Sequence, residues 1–424
     1  MPLKGDIRSV PVPGCVDGWV ALHQRLGRLA LTEVLGAAVH YAKDGFPASP
    51  MLVFMAPAVA GLPGGSDFAA ATTPGATVRR PGVARVLEAI GESGRDGFYG
   101  GEFGKGLLAL GDGEYSAEDL SESNADWVAP LHVDVWGSRV WTVPPNSQGY
   151  LALAGAWIAD GLRVPADTSD PLWPHLLIEA ARFAAHDRVE CLCEGAEGEA
   201  LLSAERLAPR RDAISSERAA ILGGSYAGGG TTYLCVVDPD GRAVSLIQSN
   251  ADGFGAHIAE PSTGVFLHNR GLGFSLQPGH PAEYGPRRRP PHTLAPLLVT
   301  TREGQFCAVL GTMGGDSQPQ ILLQLLDRTL RLGEPVGEAI AAPRWILQSR
   351  GQPGGFKTWD EGGSVRVTLE AGCPDTWLPG LTARGHSASV AGANFGHAHA
   401  IFRRQGGLEG AADPRALIGE AAGF

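Results

Sequence analysis

Residues 223–230 read Gly-Gly-Ser-Tyr-Ala-Gly-Gly-Gly and give way without transition to Thr231–Val237, a β-branched and aromatic run. Such a glycine tract is either a mobile surface connection or a backbone with a special task, because glycine tolerates conformations denied to other residues. The stretch beyond it reads as a hairpin. Asp238-Pro239-Asp240-Gly241 separates two strand-like runs, and this is the sequence of a type I turn closed by a left-handed glycine bulge. With Pro239–Gly241 as the loop, Asp238 faces Arg242, and counting outward sets Thr231 opposite Ser249. Two hydroxyls then share one face at the open end of the hairpin. Taken alone, the pattern also fits an ordinary hairpin whose Thr and Ser are merely good strand residues.

The glycines in front of Thr231 favour a chemical reading. They allow the Gly230–Thr231 peptide to be held strained against the Thr231 hydroxyl, a geometry that permits an N-to-O acyl shift. Hydrolysis of the ester would leave Thr231 as a new N-terminus, with nucleophile and base in one residue. A free α-amine has a pKa of roughly 7.7–8.0, suited to a general base acting on a hydroxyl. A second glycine pair lies downstream. Phe306–Gly311 reads as a buried strand, Thr312-Met313-Gly314-Gly315-Asp316 as a turn, and Ser317-Gln318-Pro319 as the start of an apolar helix to about Leu332. Backbone N–H groups at Gly314 and Gly315 would be placed to donate to a developing oxyanion. A phosphate loop is disfavoured because the turn carries no Gly-Lys-Ser/Thr. A plain structural turn remains open.

Elsewhere the periodicity predicts two helices between Val16 and Ala42 broken near Gly27, short helices around Val83–Ile90 and Ala117–Leu120, and a hairpin over Val133–Val143 turning at Trp136-Gly137-Ser138. An apolar helix is expected from Ser147 through Ile158 and an amphipathic one over Leu172–Val189. The 424 residues suffice for about two or three folding units, or for one large α/β core. A net charge of −11, with only short basic clusters such as Arg287–Arg289, argues against nucleic-acid and anionic-membrane partners. The opening Met1–Gly14 has no apolar run of signal-peptide length and no later segment reaches the length of a membrane span, so the chain as written reads as cytoplasmic. Cys15, Cys191, Cys193, Cys235, Cys307 and Cys373 are scattered and read as reduced packing residues. His268, His280, His292, His397 and His399 lack metal-ligand spacing, and the inferred chemistry needs neither metal nor cofactor.

These residues resemble the gamma-glutamyltranspeptidase family of N-terminal-nucleophile hydrolases. Gly230–Asp238, Phe254-Gly255, Gly264–Asn269, Arg289-Pro290, Met313-Gly314-Gly315, Ala341-Ala342-Pro343-Arg344 and Ala411–Arg415 fall in the family's order and spacing. So do Val12-Pro13-Gly14, Gly27-Arg28-Leu29, Gly45-Phe46-Pro47 and Pro144–Gly149 before the junction. The resemblance implies a four-layer αββα sandwich, made as a precursor and cleaved before Thr231. On that basis residues 1–197 form the large-subunit part, 198–230 a processing linker and 231–424 the small-subunit part, with the fragments staying associated. It implies Thr231 as nucleophile, Ser249 as its supporting hydroxyl, and Gly314 and Gly315 as the oxyanion site. A homodimer is compatible with it.

Three departures bear on the substrate, which is expected to be a small-molecule amide or peptide. Where family members hold the α-ammonium of a γ-glutamyl group, this sequence has Arg270 and Gly273. The family asparagine near the nucleophile aligns with Ala251, and the adjacent Asn250 could replace it through a one-residue bulge. The two serines that bind the substrate carboxylate align with His292 and Thr293. An acyl group carrying a carboxylate but no ammonium, as in oxamate-like or glutaryl amides, fits this set. The alternatives are a true γ-glutamyltransferase and glutathione hydrolase using Glu260 or Asp252 for the ammonium, each otherwise an exposed loop carboxylate, and a non-catalytic scaffold that never matures. The resemblance also implies a helix, a glycine-rich turn and a carboxylate-clamping arginine ahead of Gly5, so an N-terminal stretch is expected to be missing. A periplasmic or secreted location is implied if that stretch carries a signal.

Overall fold

The computed structural model describes residues 4–222, 230–349, 365–392 and 395–423. The chain divides into two units, Met1–Trp127 with Asn250–Leu272, and Val128–Ser249 with Gly273–Phe424.

The first unit is mainly helical. Its opening helices, Cys15–Leu26 and Leu31–Asp44, are separated at Gly27 as the periodicity predicts; Pro50–Met55 and then Pro81–Ser93 follow, the latter with Pro81 at its first turn. A short antiparallel ladder joins β1 (Phe46–Pro47) to β2 (Thr77–Val78). Val16, Val20, Val86, Ile90, Phe98, Phe103, Leu107 and Leu267 form one buried cluster, in which the Phe98 and Phe103 rings stack at 4.1 Å. A second cluster gathers Val59, Phe68 and Val78 against Phe254 and Phe266.

The second unit is built on strands β3 (Leu131–Val135), β4 (Ser138–Thr142), β5 (Gly230–Val237), β6 (Ala243–Ala251), β7 (Leu297–Thr300), β8 (Phe306–Met313), β9 (Trp345–Ser349), β10 (Val365–Glu370), β11 (Ala388–Ala391), β12 (His397–Arg404) and β13 (Gly407–Ala412). Six of them form a sheet in the order β13-β12-β8-β7-β4-β3, β9 to β11 form a smaller one, and β5 pairs with β6. β3 and β4 turn at Trp136 and Gly137, both at positive φ.

Alternation along β8 sorts the layers. Ala308 and Leu310 join the core made with helices Tyr150–Asp160, Leu172–Ala185 and Gln318–Leu326. Gly311, of opposite parity, lies against the ring of Tyr233 on β5, where an added Cβ would come within 2.2 Å of the ring. Helices, the six-stranded sheet and the β5–β6 hairpin therefore stack in that order within this unit. Tyr150–Asp160 is apolar all round and almost wholly buried, as such a helix must be.

Several helix boundaries differ from expectation for identifiable reasons. The helix expected from Ser147 begins at Tyr150, because Ser147 Oγ donates to Leu294 O at 2.5 Å and Gln148 Nε2 to Thr293 O at 3.1 Å. The helix expected over Leu172–Val189 stops at Ala185 and resumes as Arg188–Cys191, with Asp187 between them bonded to Arg206 and Arg210. The helix expected to run to about Leu332 gives way after Leu326 to a π-helical turn, Asp327–Arg331, whose Asp327 carboxylate is held by Trp173 Nε1 at 2.8 Å and by Arg331. Within 198–230, expected as a processing linker, lie helices Gly198–Leu201 and Ala204–Asp212, with Leu201, Leu202 and Leu207 buried. Residues 223–229, the glycine-rich part, lie outside the described residues.

Candidate active site

The hairpin turn has the chemistry its sequence predicts. Gly241 N–H donates to Asp238 O at 3.0 Å, Asp238 N–H to Arg242 O at 3.0 Å, and Gly241 sits at φ +84°. That register brings the hydroxyls at the other end together: Thr231 Oγ1 donates to Ser249 Oγ at 3.2 Å. Thr231 shares a strand face with Tyr233, which is 5% exposed and packed on Gly311, so the Thr231 side chain is directed to the side of β8. Burial raises the Tyr233 phenol well above its ordinary pKa, and its hydroxyl is paired with Ser245 Oγ at 2.9 Å. This tyrosine packs and bonds as a neutral group.

At the end of β8 the chain turns through Gly314 at φ +138° and Gly315 at φ +58°, conformations that favour glycine at both positions. An added Cβ at Gly314 would also approach Ser317 Oγ to 2.6 Å. Each carbonyl of the turn is held. Met313 O accepts from Thr312 Oγ1 at 2.7 Å, Gly314 O from Ser317 Oγ at 2.7 Å, and Gly315 O from Gln148 Nε2 at 2.9 Å. A trans peptide points its N–H opposite its carbonyl, so pinning Met313 O and Gly314 O fixes the N–H groups of Gly314 and Gly315. Among the described residues neither of those N–H groups has a protein acceptor. Two oriented, unspent donors are what an acyl-transfer oxyanion requires.

Gln148 is a site residue that sequence reasoning did not single out. Besides Gly315 it bonds Thr293 O through Nε2 at 3.1 Å, takes Arg188 Nη1 on its Oε1 at 3.2 Å, and donates its own N–H to His292 O at 3.0 Å. Arg188 in turn meets Asp316 at 3.1 Å, with both side chains at 2% exposure or less. His292 and Thr293 are thus docked through their backbone beside the glycine turn, helped by His292 N–H to Asn146 O at 2.9 Å. The Pro144–Gly149 motif offered a signal for Gln148; nothing in the local sequence marked Arg188 or Asp316.

Two of the family motifs meet in one ion-pair network behind the turn. Arg344 Nη2 bonds Asp413 Oδ2 at 2.6 Å, and its Nη1 donates to Phe395 O at 2.8 Å, next to Gly396. Arg415 links Glu370 at 2.6 Å and Asp413 at 3.1 Å. Burial would raise the Asp413 carboxyl, but Arg344, the N–H groups of Ala398 and Arg415, and the Arg415 charge hold it below the ordinary range. Burial lowers the Arg344 guanidinium to about 10.

Asn250 and Arg270 belong to the first unit. Asn250 is exposed, and its carbonyl accepts from Asn269 N–H at 3.1 Å. The next residue, Ala251, is buried at φ +75°. Arg270 is 7% exposed, and its N–H donates to His268 Nδ1 at 3.1 Å. Burial, then the Arg270 charge, push His268 down to about 4. Glu260 corrects an expectation: it is 3% exposed, not a solvated loop carboxylate, and its oxygens accept from Ser262 Oγ, at 3.0 and 2.9 Å, and from Thr263 N–H and Oγ1. Asp252 is half-buried and lies 3.9 Å from Lys4. Among the described residues no group of three His, Cys, Asp or Glu side chains is placed to hold a metal ion, and no helix is long and apolar enough to cross a membrane.

A hydroxyl pair on a hairpin stacked over a sheet, and a donor turn at the end of that sheet's central strand, define an acyl-transfer enzyme of the N-terminal-nucleophile type. Comparison with known proteins makes the assignment definite: the chain matches the gamma-glutamyltranspeptidase family over residues 1–423 and belongs to that family. It is similar to the oxamate amidohydrolase proenzyme of Klebsiella pneumoniae, with 33% identity over 450 residues covering 100% of this chain and 83% of that protein. The glutathione hydrolase-like YwrD proenzyme of Bacillus subtilis is 32% identical over 437 residues, covering 98% and 81% of the two. Among solved structures, cephalosporin acylase from Bacillus halodurans superposes with a TM-score of 0.87 at 32% identity, covering 98% of this chain and 78% of that one. The chain is accordingly an amidohydrolase or acyltransferase of this self-processing family, whose two fragments stay associated and act on amides.

Proposed function

We propose that the precursor cuts itself at Gly230–Thr231 and that Thr231 is then the nucleophile of an amide hydrolase for acyl groups that bear a carboxylate. The observation that carries this reading is the Thr231–Ser249 hydroxyl pair at 3.2 Å, on the strand that opens at Gly230. In processing, Thr231 Oγ1 attacks the Gly230 carbonyl carbon. The C–N bond breaks as the ester forms, the hydroxyl proton ends on the departing nitrogen, and water cleaves the ester to a Gly230 carboxylate and a free Thr231. Gly228 and Gly229, on which the expected backbone strain also depends, lie outside the described residues. Cleavage there separates 1–230 from 231–424, and 198–230 is then the tail of the larger fragment.

In turnover the Thr231 α-amine takes the proton from its own hydroxyl as Oγ1 adds to the substrate carbonyl. Ser249 holds the hydroxyl in place, and the N–H groups of Gly314 and Gly315 receive the oxyanion. The amine then protonates the leaving nitrogen, and water or another acceptor releases the acyl group. On the family resemblance we assign Arg270 to the substrate carboxylate, and Asn250, His292 and Thr293 to substrate binding. A guanidinium at the ammonium-binding position repels a γ-glutamyl α-ammonium and favours a second carboxylate. A relative named for oxamate amidohydrolysis supports this choice. The glutathione hydrolase reading rests on relatives bearing that name, but Glu260, one of its candidate ammonium ligands, already has both oxygens bonded within its own loop.

Substrate choice is tested by a panel of oxamate, glutaryl-p-nitroanilide and γ-glutamyl-p-nitroanilide at equal concentration. Either or both of the first two are expected to be turned over with a kcat/KM at least tenfold above that for the glutamyl compound. Preference for the glutamyl anilide would reject the assignment of Arg270.

A further inference from the structure

The strongest unassigned feature is a buried ionic cluster at the segment leading into the processing site. Residues 215–222 have neither helix nor strand, and Ile221 among them is fully exposed, yet their backbone is held almost continuously by side chains. His175, Glu179 and Arg182 lie on one face of helix Leu172–Ala185, at 0%, 0% and 8% exposure. His175 Nε2 bonds Ser215 O at 2.7 Å, which requires the proton on Nε2 and leaves Nδ1 to accept from His386 Nε2 at 2.8 Å. Glu179 Oε2 accepts the Ala220 N–H at 2.7 Å, while Oε1 takes Arg182 Nη1 at 2.6 Å. Arg182 Nη2 donates to Ala220 O at 2.8 Å. From the other side Arg384 Nε donates to Ser216 O at 3.0 Å, and Arg384 O accepts the Ala219 N–H at 2.7 Å. Burial, then His175, push the His386 imidazole down to about 3, in keeping with a neutral pair.

Burying a carboxylate, a guanidinium and two imidazoles is costly, and a connecting loop has no need of it. A scissile peptide can carry strain only if the chain is held on both sides of it. The hairpin register and Tyr233 hold the side after Thr231. We infer that the Glu179–Arg182–His175–His386 cluster holds the side before it, fixing the chain at residues 215–222 so that the Gly230–Thr231 bond is presented to its own hydroxyl. These are positioning residues for self-cleavage and not for amide turnover. The inference rests on the proposed cleavage at Gly230–Thr231. The cluster also spans the products: its helix and residues 215–222 lie before the cut, and Arg384 and His386 after it.

The test uses the full chain carrying Glu179→Gln. The amide oxygen can still accept one bond, but its NH2 group faces the donors of Arg182, so the grip on Ala220 weakens while volume is kept. Two quantities are read: the rate constant for appearance of the two fragments on a denaturing gel, and kcat per mole of free Thr231 amino terminus. Fragment formation is expected to slow at least tenfold, with kcat per processed molecule within twofold of wild type. Fragment formation at the wild-type rate, or an equal fall in both quantities, would overturn the inference. Should Glu179→Gln be insoluble, Arg384→Lys loosens the segment from the half-buried side and is expected to slow cleavage at least threefold, again with kcat per processed molecule unchanged; wild-type cleavage in that variant would equally overturn it. A wild-type chain that never cleaves would instead sink the underlying reading of the processing site.

Discussion

Thr231→Ala is expected to yield a single 44.2 kDa chain with no fragments and with amide hydrolysis reduced by roughly 10⁴-fold or more. The effect is large because one hydroxyl has two duties. Without Oγ1 the acyl shift has no attacking atom, so no α-amine is released, and the oxyanion donors at Gly314 and Gly315 face a reaction that lacks nucleophile and base. Thr231→Ser keeps the hydroxyl and should still cleave, more slowly, because the β-branch that limits χ1 is gone. The pair of variants separates chemistry from folding. An alanine variant that hydrolyses amides at the wild-type rate would remove Thr231 from the mechanism.

Asp413→Ala is expected to destabilise the protein by about 3–5 kcal/mol, since it strands the Arg344 guanidinium, 2% exposed, without its carboxylate. Arg344 also holds Phe395 O and Gly396 O, and Gly396 lies beside Met313 and Gly314, so the loss should reach the donor turn as well as the melting temperature. Thermal unfolding followed by circular dichroism measures it. Adding Arg344→Met to Asp413→Ala removes the orphaned charge and should recover part of the lost stability. A single variant that melts with the wild type would show that the pair does not brace the turn.

Local chemistry makes the hairpin legible in the sequence alone. Proline, aspartate and glycine at fixed offsets set the turn, the turn sets the register, and the register puts Thr231 against Ser249. The layer arrangement is available only through resemblance, since no single strand announces its partners across the sheet. The features that escape a linear reading are long-range. Arg188 reads as one more charge near the end of an amphipathic helix, and only the fold brings it to Asp316 and Gln148. His175 and His386 likewise read as ordinary histidines, and their shared bond joins segments far apart in the chain. The early stop at Ala185 is hidden because the apolar period continues past it while Asp187 is tied elsewhere. Glu260 reads as a solvated carboxylate because its burial depends on hydroxyls of its own loop, whose direction the sequence does not reveal.

The central claim is that this chain severs itself in front of Thr231. N-terminal sequencing of the smaller species from purified wild-type protein tests it most directly: the account predicts Thr-Thr-Tyr-Leu-Cys, beginning at Thr231. A smaller species starting at any other residue, or an uncut chain that nevertheless hydrolyses amides, would contradict it.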